Sequence, residues 1–173
     1  VIAGLVKDGR YFRPYIPDGV YAEIRALSGL QVLAQSEITR LKNRIARWFS
    51  IYFPNYKDVY GNVGAVSGLM VLKAAPLPED IVKLGVDGVN RIWRDAKLRG
   101  VGLKRAKTLV AAAEHSIGSR EAQEAARIEL QILLSDYEMQ TAREAELMAL
   151  IEEKIIEVPY VDKLLEIRGV GLK

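Results

Sequence analysis

Between Arg91 and Lys107 the chain sets Gly100-Val101-Gly102 among seven cations, Arg91, Arg94, Lys97, Arg99, Lys104, Arg105 and Lys107, with Asp95 the only acid in that span. Glycine lacks the Cβ that keeps a backbone away from a phosphate oxygen, and the unpaired amides at a helix start point toward an anion. The chemistry this pattern suits is phosphate binding without base readout. Its candidate residues are Arg99, Gly100, Gly102, Lys104, Arg105 and Lys107. A second basic group, Arg40, Arg44 and Arg47 with Lys42 nearby, falls within little more than two helical turns. Only Arg40 with Arg44, or Arg44 with Arg47, is expected to share a face, so these cations, also candidates for nucleic-acid binding, are expected to line two sides of a helix near a nucleic-acid backbone without forming one tight pocket. No residue pattern for bond-making chemistry accompanies them. His115 is the single histidine, there is no cysteine, and no glycine loop precedes a Lys-Ser or Lys-Thr pair. Catalytic and metal-ligating residues are therefore assigned to none in this chain, and His115 is expected at a helix end or on the surface.

Two helices must hold that turn. Ile92 and Trp93 belong to the first, Leu98 leads into the glycines, and Ala106, Leu109 and Val110 face inward from the second. The unit resembles a helix-hairpin-helix, which touches a nucleic-acid backbone. A glycine-bent turn between two solvated helices is the bland alternative.

The elements that carry this unit are two long helices. Val20, Ile24, Leu27, Gln31, Ala34, Ile38, Leu41, Ile45, Trp48 and Tyr52 alternate spacings of four and three, a heptad seam. A helix of roughly 34 residues is on the order of 50 Å long and needs a partner along its length. Ala126, Leu130, Leu133, Tyr137, Thr141, Ala145, Met148, Ile151, Ile155 and Val158 supply one, with a run of four-residue spacings that reads as a stutter. Gln31 on the first seam either sets the register or sits at a solvated gap. The expected fold is all-α: two long antiparallel coiled-coil-like helices, about 18–53 and 119–158, with a small helical cap between them. An ordinary helical bundle is the alternative.

Within the cap, Pro54 ends the first helix, and Val63 to Ala75 reads as a helix whose Gly64 and Gly68 allow close packing. Pro78, Glu79 and Asp80 open a short helix that Gly85 stops. Trp48, Phe49, Tyr52 and Phe53 are expected to anchor the long helix in the cap, not to stack on bases. Val1 to Asp8 reads as a short helix closed by Gly9, "RYFRPYIPDG" as an extended connector, and Asp18 as the N-cap of the first long helix. From Ile167 to Lys173 the chain echoes Leu98 to Lys104. This second copy is cut short, and its last residues are expected to be poorly ordered.

The 173 residues carry a net charge of +3 that conceals a split. Residues 1–119 hold 18 Lys and Arg against 10 Asp and Glu, residues 120–157 hold 4 against 10, and the remainder stands at +1. A basic portion beside an acidic helix suits a phosphate polymer, or else two solvated faces that help each other pair. The absence of cysteine, of a signal-like start and of a bilayer-length apolar run points to a reducing cytoplasm and no membrane partner. Opening on Val1 and ending on "RGVGLK", the chain reads as an excised piece of a longer protein.

Taken together, "VIAGLVKDGRYFRPYIP", "LKNRIARWFSIYFPNYKDVYG", "PEDIVKLGVDGVNRIW", "GVGLKRAKTLVAAA" and "LLEIRGVGLK" resemble the middle of the DEDD-type insertion-sequence transposases, the insertion-sequence one-ten family. The likeness runs in order along nearly the whole chain. It implies that residues 1–17 are the tail of an upstream RNase H-like catalytic domain and a linker. Residues 18–56 are then the first long helix, 57–118 the cap, 119–158 the second long helix, and 159–173 the truncated start of a C-terminal domain that supplies a nucleophilic serine. It further implies enzyme activity only for the full-length transposase, whose Asp-Glu-Asp-Asp site takes a divalent metal such as Mg. Both catalytic halves fall outside this piece, which itself takes no cofactor. As partners it implies a homodimer or higher homo-oligomer, and DNA or the noncoding guide RNA that such elements encode. Two other readings compete: a purely structural coiled-coil spacer, and a helix-hairpin-helix DNA-repair factor, the latter leaving the long heptad helices unexplained.

Overall fold

The computed structural model describes residues 2–9 and 15–168. Among them the elements in chain order are α1 (Ile2–Lys7), α2 (Gly19–Tyr52), α3 (Tyr56–Val59), α4 (Val66–Ala74), α5 (Pro78–Asp95), α6 (Leu103–Glu114), α7 (Gln123–Ile156) and α8 (Val161–Leu165). No strand occurs among the described residues, so the all-α expectation holds, with two long helices and smaller ones between. The chain divides into two compact units, Ala34–Arg143 and Val1–Leu33 with Glu144–Lys173.

The unit Ala34–Arg143 is built on aromatic packing. Its part of α2 buries Ala34, Leu41, Ile45 and Trp48, all positions of the four-three spacing, and Phe49 beside them. Trp48 is 2% exposed, and its indole N–H donates to the Ala126 carbonyl at 2.9 Å, so the ring is buried without losing its hydrogen bond. Leu130, Leu133 and Leu134 of α7 close the same core. Beyond α2, Phe49 stacks on Tyr56 with centroids 4.1 Å apart, and Tyr56 on Tyr60 at 5.0 Å. The aromatics expected to anchor the helix end do so: Phe49 and Phe53 are buried and Tyr52 half-buried.

Gly68 explains how α4 reaches this stack. A Cβ there would stand 2.0 Å from the Tyr56 hydroxyl, closer than any side chain tolerates. The α5 start follows the sequence reading: Pro78 occupies the first turn, and the Asp80 carboxylate accepts from the Leu77 amide at 3.1 Å. Asp80 also forms an ion pair with Arg127, tying α5 to α7. At Gly85 the backbone leaves helical geometry (φ 68°, ψ 176°), but helix resumes at once and continues to Asp95. The expected stop is therefore a kink, because Val86, Val89, Ile92 and Trp93 have a core to face on the far side of it.

In the unit Val1–Leu33 with Glu144–Lys173, α2 runs antiparallel to α7. The Tyr21 and Tyr160 rings lie 6.3 Å apart, Glu23 meets Lys154 at 3.1 Å, and Gln31 donates to Glu144 at 3.2 Å. As numbers rise along one helix they fall along the other. Carboxylates of Glu157 and Glu23 beside Lys154 push its ammonium up to about 12. Val20, Ile24 and Leu27 of α2 are half-buried, Ile151 of α7 is buried, and so is Val158 just past the end of α7.

The stutter expected in α7 is absent. Thr141 and Ala145 are exposed, and the inward line passes through Tyr137, Gln140, Glu144, Leu147 and Ile151, keeping the alternation of three and four. The sequence reading followed apolar residue types, whereas the helix keeps its period and puts two polar residues on the inward line. Gln31 is thereby settled as a hydrogen-bonded seam residue. α1 ends at Lys7 with Gly9 at φ 68°, as expected, and the Asp18 carbonyl accepts from the Tyr21 and Ala22 amides at the start of α2. Residues 10–14 of the connector, and the second glycine pair with the expected disorder at the end, lie outside the described residues.

Candidate nucleic-acid interface

The turn between α5 and α6 is shaped by three local features. Lys97 takes a left-handed conformation (φ 54°), with its amide donating to the Arg94 carbonyl and the Leu98 amide to the Trp93 carbonyl, both at 2.9 Å. That pairing is a Schellman closure, here with lysine where glycine is usual. Gly100 has φ 78°, a conformation that a side chain would strain. Gly102 is extended and stands as N-cap of α6, its carbonyl accepting from the Ala106 amide at 3.0 Å. Glycine has no side chain with which to cap, so the leading amides of α6 meet no capping group there.

Packing fixes the aim of this turn. Leu98 and Val101 are half-buried against the core, while Ala106, Leu109, Val110 and Ala113 of α6 are buried and Trp93 of α5 is 1% exposed, its indole donating to the Ser67 carbonyl at 2.7 Å. The cations are left outside. Arg91, Arg94, Lys97, Arg99, Lys104, Arg105 and Lys107 are all exposed, and among the described residues none forms an ion pair. By contrast Lys73, Arg127 and Lys154, which face acids on or beside α7, are paired. With no ion-paired acid to offset their field, these cations are open to an incoming polyanion.

Arg105 is partly committed. Its guanidinium lies 5.1 Å from the centre of the Tyr60 ring and reaches the Val59 carbonyl at 3.5 Å. The cation–π contact holds the group in place and leaves donors free at its outer edge. Lys104 and Lys107 have no such hold. The structure thus brings Arg99, Gly100, Gly102, Lys104, Arg105 and Lys107 together on one hairpin.

Arg40, Arg44 and Arg47 sit on α2. Spaced by four and three on a regular helix, all three follow one stripe, so the expectation that only neighbouring pairs share a face was too narrow. Arg40 pairs with Glu37 on its own helix. Arg44 lines a shallow groove with Ala125, Ile128, Glu129 and Ile132 of α7, a surface that sequence reading missed because it followed only the buried seam. His115 is the exposed C-cap of α6.

Among the described residues no three or more His, Asp or Glu side chains are grouped to hold a metal ion. No described helix is long and apolar enough to cross a membrane. No protein-family model, curated protein or solved structure matches the chain.

Proposed function

We propose that this chain is the helical middle region of a DNA transposase of the insertion-sequence type. In this reading it joins copies of the protein and grips a nucleic-acid backbone, while the catalytic groups and their divalent metal lie in flanking domains. The observation that carries the nucleic-acid part is the α5–α6 turn: seven exposed cations, none in an ion pair among the described residues, around a glycine hairpin and an uncapped helix start. The sequence resemblance supplies the transposase part, and the absence of cysteine suits action in the cytoplasm.

Backbone contacts make binding sequence-indifferent and salt-sensitive. The test is retention of duplex DNA and of structured RNA of unrelated sequences by the chain, followed by anisotropy as salt is raised from about 50 to about 200 mM. Affinity falls steeply and nearly equally across sequences. Replacing Lys104, Arg105 and Lys107 together by alanine weakens binding and lowers the salt slope by about two to three. Equal binding by the triple variant sinks the hairpin as the contact. No retention of either polymer leaves the purely structural spacer as the better reading.

A further inference from the structure

A second apolar line runs along α7 on the side away from its core. At about 100° per residue, Ile128, Ile132 and Met139 stand roughly opposite Leu130, Leu133 and Tyr137. They are 56%, 52% and 45% exposed, whereas the three core residues are buried or half-buried. Isolated exposed leucines and isoleucines are ordinary on a protein surface, but a line of them at helical spacing beside a groove calls for an explanation. The groove has an apolar floor, Ala125, Ile128 and Ile132, and carries one cation and one anion, Arg44 from α2 and Glu129 from α7. Those two make no ion pair with each other.

We propose that this face of α2 and α7 is where a second copy of the chain docks, α7 against α7 in antiparallel register. The proposal rests on the self-associating part of the reading above and assigns it an interface. Charge decides the occupant. A two-fold axis across the paired helices keeps the α2-side edge of both copies on the same side, so Arg44 of each copy faces Glu129 of the other while Ile128 meets Ile132. One groove thereby supplies both halves of two reciprocal ion pairs over an apolar floor. The same arrangement sets the part of α7 around Glu129 of one copy against Arg44 on the arginine stripe of the other. Arg44, grouped by sequence with the phosphate-binding candidates, belongs to this interface.

Sedimentation equilibrium of the full chain without nucleic acid tests it. The wild-type chain sediments at twice the chain mass. Ile132→Asp, at an exposed position, keeps its helix content by circular dichroism and sediments as a single chain. Arg44→Glu and Glu129→Arg each weaken association about tenfold, and the double reversal restores it to within about threefold. A wild-type chain that stays single at about 100 μM, far above the Kd of ordinary dimers, overturns the proposal, as does an Ile132→Asp variant that associates like wild type. A dimer that Ile132→Asp dissociates and that retains no DNA upholds this interface and sinks the nucleic-acid reading. A single chain that retains DNA does the reverse.

Discussion

Tyr56 shows how much one side chain constrains this molecule. It is 1% exposed and sits between Phe49 and Tyr60, and its hydroxyl is the one buried side-chain polar atom without a hydrogen-bond partner among the described residues. Burial holds the Tyr56 phenol well above its ordinary range, and burial also raises Tyr60, with Ser67 and Arg105 pulling the other way. A phenol whose folded pKa is raised keeps its proton in the native state when the unfolded chain has lost it. Stability is then intact below about pH 10 and falls as pH rises from there toward the folded values. Urea midpoints at about pH 8 and about pH 11 check this, with a smaller loss expected for Tyr56→Phe, which has no proton to hold. Removing the unpartnered hydroxyl also leaves the variant no less stable than wild type at about pH 8.

Among the elements, α7 carries the sharpest discrepancy between residue type and position. Ala145 is apolar and exposed, Glu144 is charged and half-buried, and the difference is one residue of helical phase. Glu144 is held there by Gln31, a polar residue on the facing seam. Substitution distinguishes the two phases. Ala145→Lys and Thr141→Lys change stability by no more than about 0.5 kcal/mol, while Leu147→Lys, on the observed inward line, costs about 1–3 kcal/mol. Thermal melts of the three variants measure the contrast; equal costs at 145 and 147 would restore the stutter. The α5–α6 pair was easier to read, since glycines, buried small residues and outward cations agree on one arrangement.

For the molecule as a whole, the two units differ in how much they bury. The unit Ala34–Arg143 holds the contiguous core, with Trp48, Trp93, Phe53 and Tyr56 nearly inaccessible, whereas Ile151 and Val158 are the buried residues described in the other. Opening energies follow buried apolar contact, so amides in 41–53 and 126–134 exchange far more slowly than those in 20–33 and 147–156. Hydrogen exchange read by mass spectrometry checks this, and uniform protection along both long helices would contradict it. The helical class, the extents of α2 and α7 to within a few residues, and the basic glycine turn were legible in the residue order, because each depends on local spacing and on residues that stop helices. The phase of α7, the kink that replaces a stop at Gly85, the tether of Arg105 to Tyr60, and the groove where Arg44 meets Ile128 and Ile132 emerged from packing alone. Those features depend on what lies opposite a side chain, and a helical period read along one segment carries no information about its neighbour.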